Sequence, residues 1–192
     1  MLSSTALAAQ IASLSLTTER LHVRPITPVD NKVQVEHELD PAIMQTIRDP
    51  LSQAEIEERI ADFSGPWQAD EDSWVGLSLV ETSTEQVIGF FFLRVISFEN
   101  QSMEVGYRLH PDYWRQGYAL EAGQALLTFL DEALQVRKAV AYCIKSNAGS
   151  AGLLEKLGFE KEGCLRQHSP LGGKWHDELV YGLVLAPQRE VP

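Results

Sequence analysis

Between residues 102 and 144 the sequence spells a strand, a tight turn, a helix and a second strand. No other part of the chain constrains the fold as much. Its centre, Tyr107 to Ala122, reads YRLHPDYWRQGYALEA. Pro111 biases His110 toward an extended conformation, so the first strand ends at His110. The helical period begins at about Ala119. Ala119, Ala122, Leu126, Leu130 and Ala133 line one face, and Glu121, Gln124, Thr128, Asp131 and Gln135 the other. The run KAVAYCI, residues 138–144, then reads as a buried strand. A strand, a crossover helix and a strand in succession form a right-handed parallel unit. The turn that opens the helix has chemistry of its own. A helix N-terminus leaves backbone N–H groups unpaired and carries roughly half a positive charge. Gly117 and Ala119 are small enough for close approach, which makes this turn an anion site suited to a pyrophosphate.

The flanking segments predict antiparallel structure. Residues 16–24 alternate as a strand ended by Pro25, and residues 28–39 and 52–63 read as helices. Ser52 caps the second helix with Glu55 three residues on, and Gly65-Pro66 ends it. Residues 73–82 and 86–97 form a hairpin across a short Ser-Thr-Glu turn. The second of these strands is nearly all apolar from Val87 to Leu93, as expected of a central strand covered on both faces. A further helix opens near Asn147 and stops at Gly158, and residues 159–167 and 174–185 pair as a last hairpin. The expectation is one α/β domain over residues 16–186. Its mixed sheet is mostly antiparallel with one central parallel strand–helix–strand crossover, and helices lie on both faces. Residues 1–15 read as a loose arm or a short surface helix, and residues 187–192 as a tail.

Composition narrows the setting. A chain of 192 residues, 44% hydrophobic and 22% charged, fits one soluble domain with a real core. No apolar run approaches membrane-span length. The first fifteen residues lack the basic region of a secretory signal and the arginines of a mitochondrial one. Cys143 and Cys164 lie in apolar runs and read as small buried hydrophobes. Two such thiols point to a reducing cytoplasm, with no disulfide framework and no zinc site. The net charge of −11 argues against nucleic acid as a partner. Residues 30–72 carry twelve acids against Lys32, Arg48 and Arg59, whereas residues 137–166 carry six bases against three acids. Two solvated faces explain this. So does a bipolar molecule with an anionic cofactor toward the C-terminal half and a cationic acceptor toward the N-terminal half.

Three segments carry a family resemblance: MEVGYRLHPDYWRQGYALEA, SNAGSAGLLEKLGFEKEG and GGKWHDELVYGL. In this order and spacing, with KAVAYCI between the first two, they resemble the GNAT (Gcn5-related N-acetyltransferase) superfamily, specifically its RimJ/RimL-like branch. The likeness runs from about Leu16 to Leu185. It implies a cytoplasmic acetyl-CoA-dependent N-acetyltransferase without a metal, acting as a monomer or homodimer on an amine such as a basic peptide N-terminus. The alternatives are a polyamine or small-amine acetyltransferase and a non-catalytic acyl-CoA sensor. The resemblance places the pyrophosphate on backbone N–H groups of Arg115, Gln116, Gly117, Ala119 and Leu120. Pantetheine would lie along backbone groups of Tyr107, Arg108 and Leu109, with Asn147 bonding the same arm or serving as a plain N-cap. Gly149 and Gly152 fit close packing against a ligand.

Two positions depart from the superfamily pattern. Trp114 stands where Gln or Arg is usual. Leu154 stands where many members have a tyrosine general acid. Ser150, one turn earlier on the same helix, resembles the serine given that role in this branch; the alternative is a helix serine bonding its own backbone. Glu104 matches the acid of the family's EIGY-like motif and is the candidate base. Alternation sets it on one face with Arg108, so a structural pair of the two is the alternative. His168, His176, Trp67, Trp74 and Trp175 are further candidates for the acceptor wall.

Overall fold

Phenylalanines on both sides of one strand organise the sheet. In the computed structural model, which describes residues 1–186, eight strands form a single sheet. They are β1 (Leu16–Thr17), β2 (Leu21–Pro25), β3 (Trp74–Glu81), β4 (Val87–Ser97), β5 (Ser102–Leu109), β6 (Lys138–Ile144), β7 (Glu160–Leu171) and β8 (Lys174–Val184). Their order is β1-β2-β3-β4-β5-β6-β8-β7, and every pairing is antiparallel except β5 with β6. The helices are α1 (Ser4–Ala12), α2 (Asn31–Leu39), α3 (Pro41–Met44), α4 (Gln53–Ser64), α5 (Tyr118–Glu132) and α6 (Ala148–Lys156). On β4, Phe91, Leu93 and Val95 join the large core shared with α1, α5 and α6, while Phe90 packs with Ile26 and Phe63 on the other face. One period-2 strand thus feeds two cores, which is why its sequence is apolar throughout.

The mixed sheet, the single parallel pair and the helices on both faces agree with expectation. The tail, residues 187–192, lies outside the described residues. Several local readings need correction. Residues 16–24 are two strands, because Thr18 turns the chain: its backbone N–H donates to Leu21 O at 2.8 Å and its Oγ1 accepts from Leu21 N at 3.0 Å. Residues 28–30 are a 3₁₀ turn rather than the first turn of α2. There the buried Asp30 carboxylate accepts from Thr27 N, Arg24 and Ser78. Burial alone would raise its pKa, but these donors hold it below the usual carboxylate range. The short α3 was not expected; Asp40 caps it and Pro41 supplies a preset first residue. Cys143 is buried as expected, but Cys164 is exposed, because β7 is the edge strand and is solvated over most of both faces.

At the N-terminus the helix forms, of the two readings expected, but it is docked into the core. Residues 4–12 form a docked helix whose Leu7 and Ile11 are 0% and 2% exposed and belong to the main core. A loose arm does not describe them. Leu7→Ala should therefore destabilise the protein by about 2–5 kcal/mol in urea unfolding. Gln10→Ala on the exposed side should stay within about 0.5 kcal/mol of the parent.

Candidate active site

β5 and β6 pair over three positions only, Ser102, Glu104 and Met103 between them facing Lys138, Val140 and Ala139. Beyond Glu104 the strands part. The sheet opens as a notch between Val105–Leu109 on one side and the end of β6 and the start of α6 on the other. Which backbone groups face it follows from the β4 pairing. His110 N donates to Ile88 O, and the register pairs Arg108 with Phe90. In an antiparallel ladder successive residues point their N–H and C=O to opposite sides. Arg108 therefore turns its backbone toward β4, while Tyr107 and Leu109 turn theirs toward the notch. This corrects the expectation that all three line it. Leu109 O is taken by the Trp114 indole N–H at 2.7 Å, so the free group there is the Leu109 N–H.

The turn after β5 is exposed from Trp114 to Gly117. Arg115 and Gly117 have φ of 60° and 87°, a left-handed conformation that glycine adopts without strain. Gly117 starts α5 without a side-chain cap, and Glu121 N is bonded to Gly117 O. The N–H groups of the first turn, including Ala119 and Leu120, have no intrahelical acceptor. A clamp that sequence reading missed holds this turn. Arg20 donates to Gln116 O at 3.0 Å and to Glu121 at 2.7 Å, and its guanidinium lies 4.1 Å from the Tyr118 ring centroid. Thr18 Oγ1 donates to the same Glu121 carboxylate at 2.6 Å. The partners are about a hundred residues apart, and no local pattern marks them.

Glu104 is 8% exposed and is held by Arg94, whose Nε and Nη2 lie 2.7 and 2.6 Å from Oε2. The alternative reading, a pair with Arg108, does not form. Arg94 stands directly opposite Glu104 on β4, whereas Arg108 lies four residues along the same strand, roughly 13 Å away at the usual rise. Arg108 instead pairs with the buried Glu38 of α2, which also takes Arg48, and its guanidinium sits over Phe90 and Phe92. Burial raises the Glu104 carboxyl above its ordinary value, opposed by Arg94. A carboxylate so tuned can accept a proton from an amine.

On the opposite wall, Asn147 caps α6: its Oδ1 accepts from Ser150 N at 3.0 Å and its Nδ2 donates to Thr46 Oγ1 at 2.8 Å. The segment carrying Thr46 thus crosses to α6, and Asp49, three residues on, accepts from Gly172 N at the β7–β8 turn. Ser150 Oγ is 2.9 Å from the Tyr107 hydroxyl. A Cβ on Gly152 would meet nothing within 4 Å, and one on Gly149 only the Asn147 Oδ1 at 3.6 Å. Leu154 is buried in the core. Of the aromatic candidates, Trp67 bonds Ser73 and packs on the main core, and Trp74 stacks with Arg94. Trp175 is 64% exposed beside His176 in a shallow cleft with Ile144 and Ser146. His176 Nε2 is 3.2 Å from Leu171 O, and His168 lies 3.8 Å from Glu178. Among the described residues no group of three or more His, Cys, Asp or Glu side chains is placed to hold a metal, and no helix is long and apolar enough to cross a membrane.

Comparison with known proteins gives a consistent result. The family model for the acetyltransferase (GNAT) domain matches residues 20–160. An uncharacterized N-acetyltransferase of Bacillus licheniformis, p20, is 30% identical over 88% of this chain and 96% of its own. The [ribosomal protein uS5]-alanine N-acetyltransferase of Escherichia coli is 26% identical over 55% of each chain. A spermidine N-acetyltransferase of Vibrio cholerae, solved with coenzyme A and spermine, superposes with a TM-score of 0.75 at 17% identity, covering 86% of this chain and 96% of that one.

The turn geometry generates one prediction. Gly117→Glu puts a side chain at φ 87° and a negative charge at the uncapped helix start. Calorimetric titration should show acetyl-CoA affinity reduced by at least about ten-fold. Unchanged affinity would remove the turn as the phosphate site.

Proposed function

The chain belongs to the GNAT family of acetyl-CoA-dependent N-acetyltransferases, and from that premise we propose that it acetylates a cationic primary amine, with a protein or peptide N-terminus as the favoured acceptor. The observation that carries this reading is the notch past Glu104, with a buried carboxylate on one wall and a serine hydroxyl on the other. Acetyl-CoA would lay its pyrophosphate on the Arg115–Leu120 turn and its pantetheine amides along Tyr107 and Leu109, as an added strand.

Direct attack needs no covalent enzyme intermediate. The amine's nitrogen forms a bond to the thioester carbon, and Glu104 takes the proton that nitrogen loses, directly or through water. The carbonyl oxygen gathers charge, which a notch-facing backbone N–H of β5 would meet. On collapse the C–S bond breaks, and the sulfur takes the Ser150 hydroxyl proton. Glu104 and Ser150 then exchange with water to restore the starting state. The E. coli relative's name supports a peptide N-terminus as acceptor, and the Vibrio cholerae likeness keeps a polyamine as the comparison.

The acidic segment supports a cationic acceptor, but less strongly than its formal charge. Asp30 and Glu38 are buried in pairs with Arg24 and with Arg48 and Arg108. Nine of the twelve acids remain exposed. Their attraction should be screened over roughly 8–10 Å at physiological salt.

Glu104→Gln and Ser150→Ala should each lower turnover by about ten-fold to a thousand-fold with little change in cofactor affinity. Because burial raises the Glu104 pKa, the base is lost as pH falls through that value. The acid limb of kcat/KM should therefore sit above the ordinary carboxylate range and disappear in Glu104→Gln. Thiol release from acetyl-CoA should be fastest with a basic peptide, slower with neutral and acidic ones, and the spread should shrink at high salt. Equal rates for all three peptides would reduce the acidic face to a solubilising surface. Release of no thiol with any amine, spermidine included, would favour a binding protein.

A further inference from the structure

We infer that Tyr107 is a positioning residue for Ser150: its hydroxyl donates to Ser150 Oγ, so that the serine's own proton is left for the departing sulfur. This rests on the assignment of Ser150 as the proton donor proposed above. The Tyr107 side chain crosses from β5 to α6, where its hydroxyl oxygen meets two acceptors, Ser150 Oγ at 2.9 Å and Ser150 O at 3.2 Å. A phenol has one proton to give. The carbonyl lies inside α6 and is already used by the helix one turn on. Oγ is the closer of the two. The shorter contact therefore takes the phenol proton.

The frame around the phenol is built to hold that arrangement. The Tyr107 ring packs against Phe91 of β4 with centroids 5.5 Å apart, and its position is set by strand pairing rather than by a loop. Burial raises the hydroxyl's pKa, so the phenol keeps its proton across the working range. Three consequences follow for Ser150. Its rotamer is fixed, its oxygen lone pair is engaged, and its hydrogen is turned away from Tyr107. When the Oγ–H bond breaks and the S–H bond forms, the electron pair of the broken bond stays on Oγ, and the phenol proton, held by another lone pair, faces an oxygen that now carries charge. The hydrogen bond then becomes charge-assisted and strengthens as the thiol is released. Backbone contacts of Tyr107 with a cofactor do not require its hydroxyl, so this role is separable from them.

The test is a double-mutant cycle read in kcat at saturating acetyl-CoA, with cofactor affinity measured by calorimetry. Tyr107→Phe should lower kcat by about ten-fold, equivalent to about 1.4 kcal/mol, with acetyl-CoA affinity changed less than about two-fold. In the Ser150→Ala background the same change should cost nothing further, because the residue it positions is gone. An equal loss in both backgrounds would show that Tyr107 acts through packing, and unchanged kcat in Tyr107→Phe would also overturn the inference. Unchanged kcat in Ser150→Ala alone would instead overturn the assignment of Ser150 itself. Replacement of Tyr107 by 3-fluorotyrosine keeps both ring and donor and should retain most of the activity. A loss as large as that in Tyr107→Phe would sink the idea, whatever the fate of the Phe variant's fold.

Discussion

The short parallel pairing of β5 and β6 is the constraint on which the site depends. Three residues of register tie the two strands, and past Glu104 each strand keeps its other neighbour while losing this one. A fully zipped pair would fill the notch with its own hydrogen bonds. The separation turns the backbone of Tyr107 and Leu109 into groups that need a partner from outside the sheet. It also sets the helix start at Tyr118 beside one wall and the α6 cap at the other.

Two distant contacts keep that opening in shape. On one side the Thr18–Arg20 turn grips Glu121 and Gln116, so the turn before α5 is held by charge-assisted bonds as well as by its own dihedrals. On the other, Thr46 meets Asn147 and Asp49 meets Gly172, linking the segment after α3 to α6 and to the last hairpin. Glycine at 172 and 173, both at positive φ, lets that hairpin turn in two residues and places the Gly172 N–H outward for Asp49. The α2 side is held by Glu38, which gathers Arg108 from the sheet and Arg48 from the segment that carries Thr46.

Much of this was legible in the chain because periodicity reports faces. The strand at Lys138–Ile144 has the bounds its sequence predicts and is buried except at its first residue and at Tyr142. The Ser52 capping box, the Gly117 helix start and the Asn147 cap are local chemistry, readable within four residues. Partners across the fold were not legible. Alternation correctly placed Glu104 and Arg108 on one face, but only strand register decides that Arg94 answers the first and Glu38 the second. Tyr107 and Ser150 are 43 residues apart and meet because the crossover returns α6 over β5. α1 stood open between a loose arm and a short surface helix for a related reason: nothing local marks Leu7 and Ile11 as buried until a groove exists to receive them.

A sheet left open in its middle is also an unfinished fold. The backbone groups lining the notch are interior edges, solvated where a closed ladder would bond them, and the chain carries that deficit in its own folding equilibrium. Any molecule that bonds them binds the native state and not the unfolded one. Occupancy at a hundred times the dissociation constant adds about 2.7 kcal/mol to the stability of the whole domain. The lifetime of the folded chain is thereby tied to how much ligand surrounds it, and the supply of acyl donor bears on persistence as well as on rate.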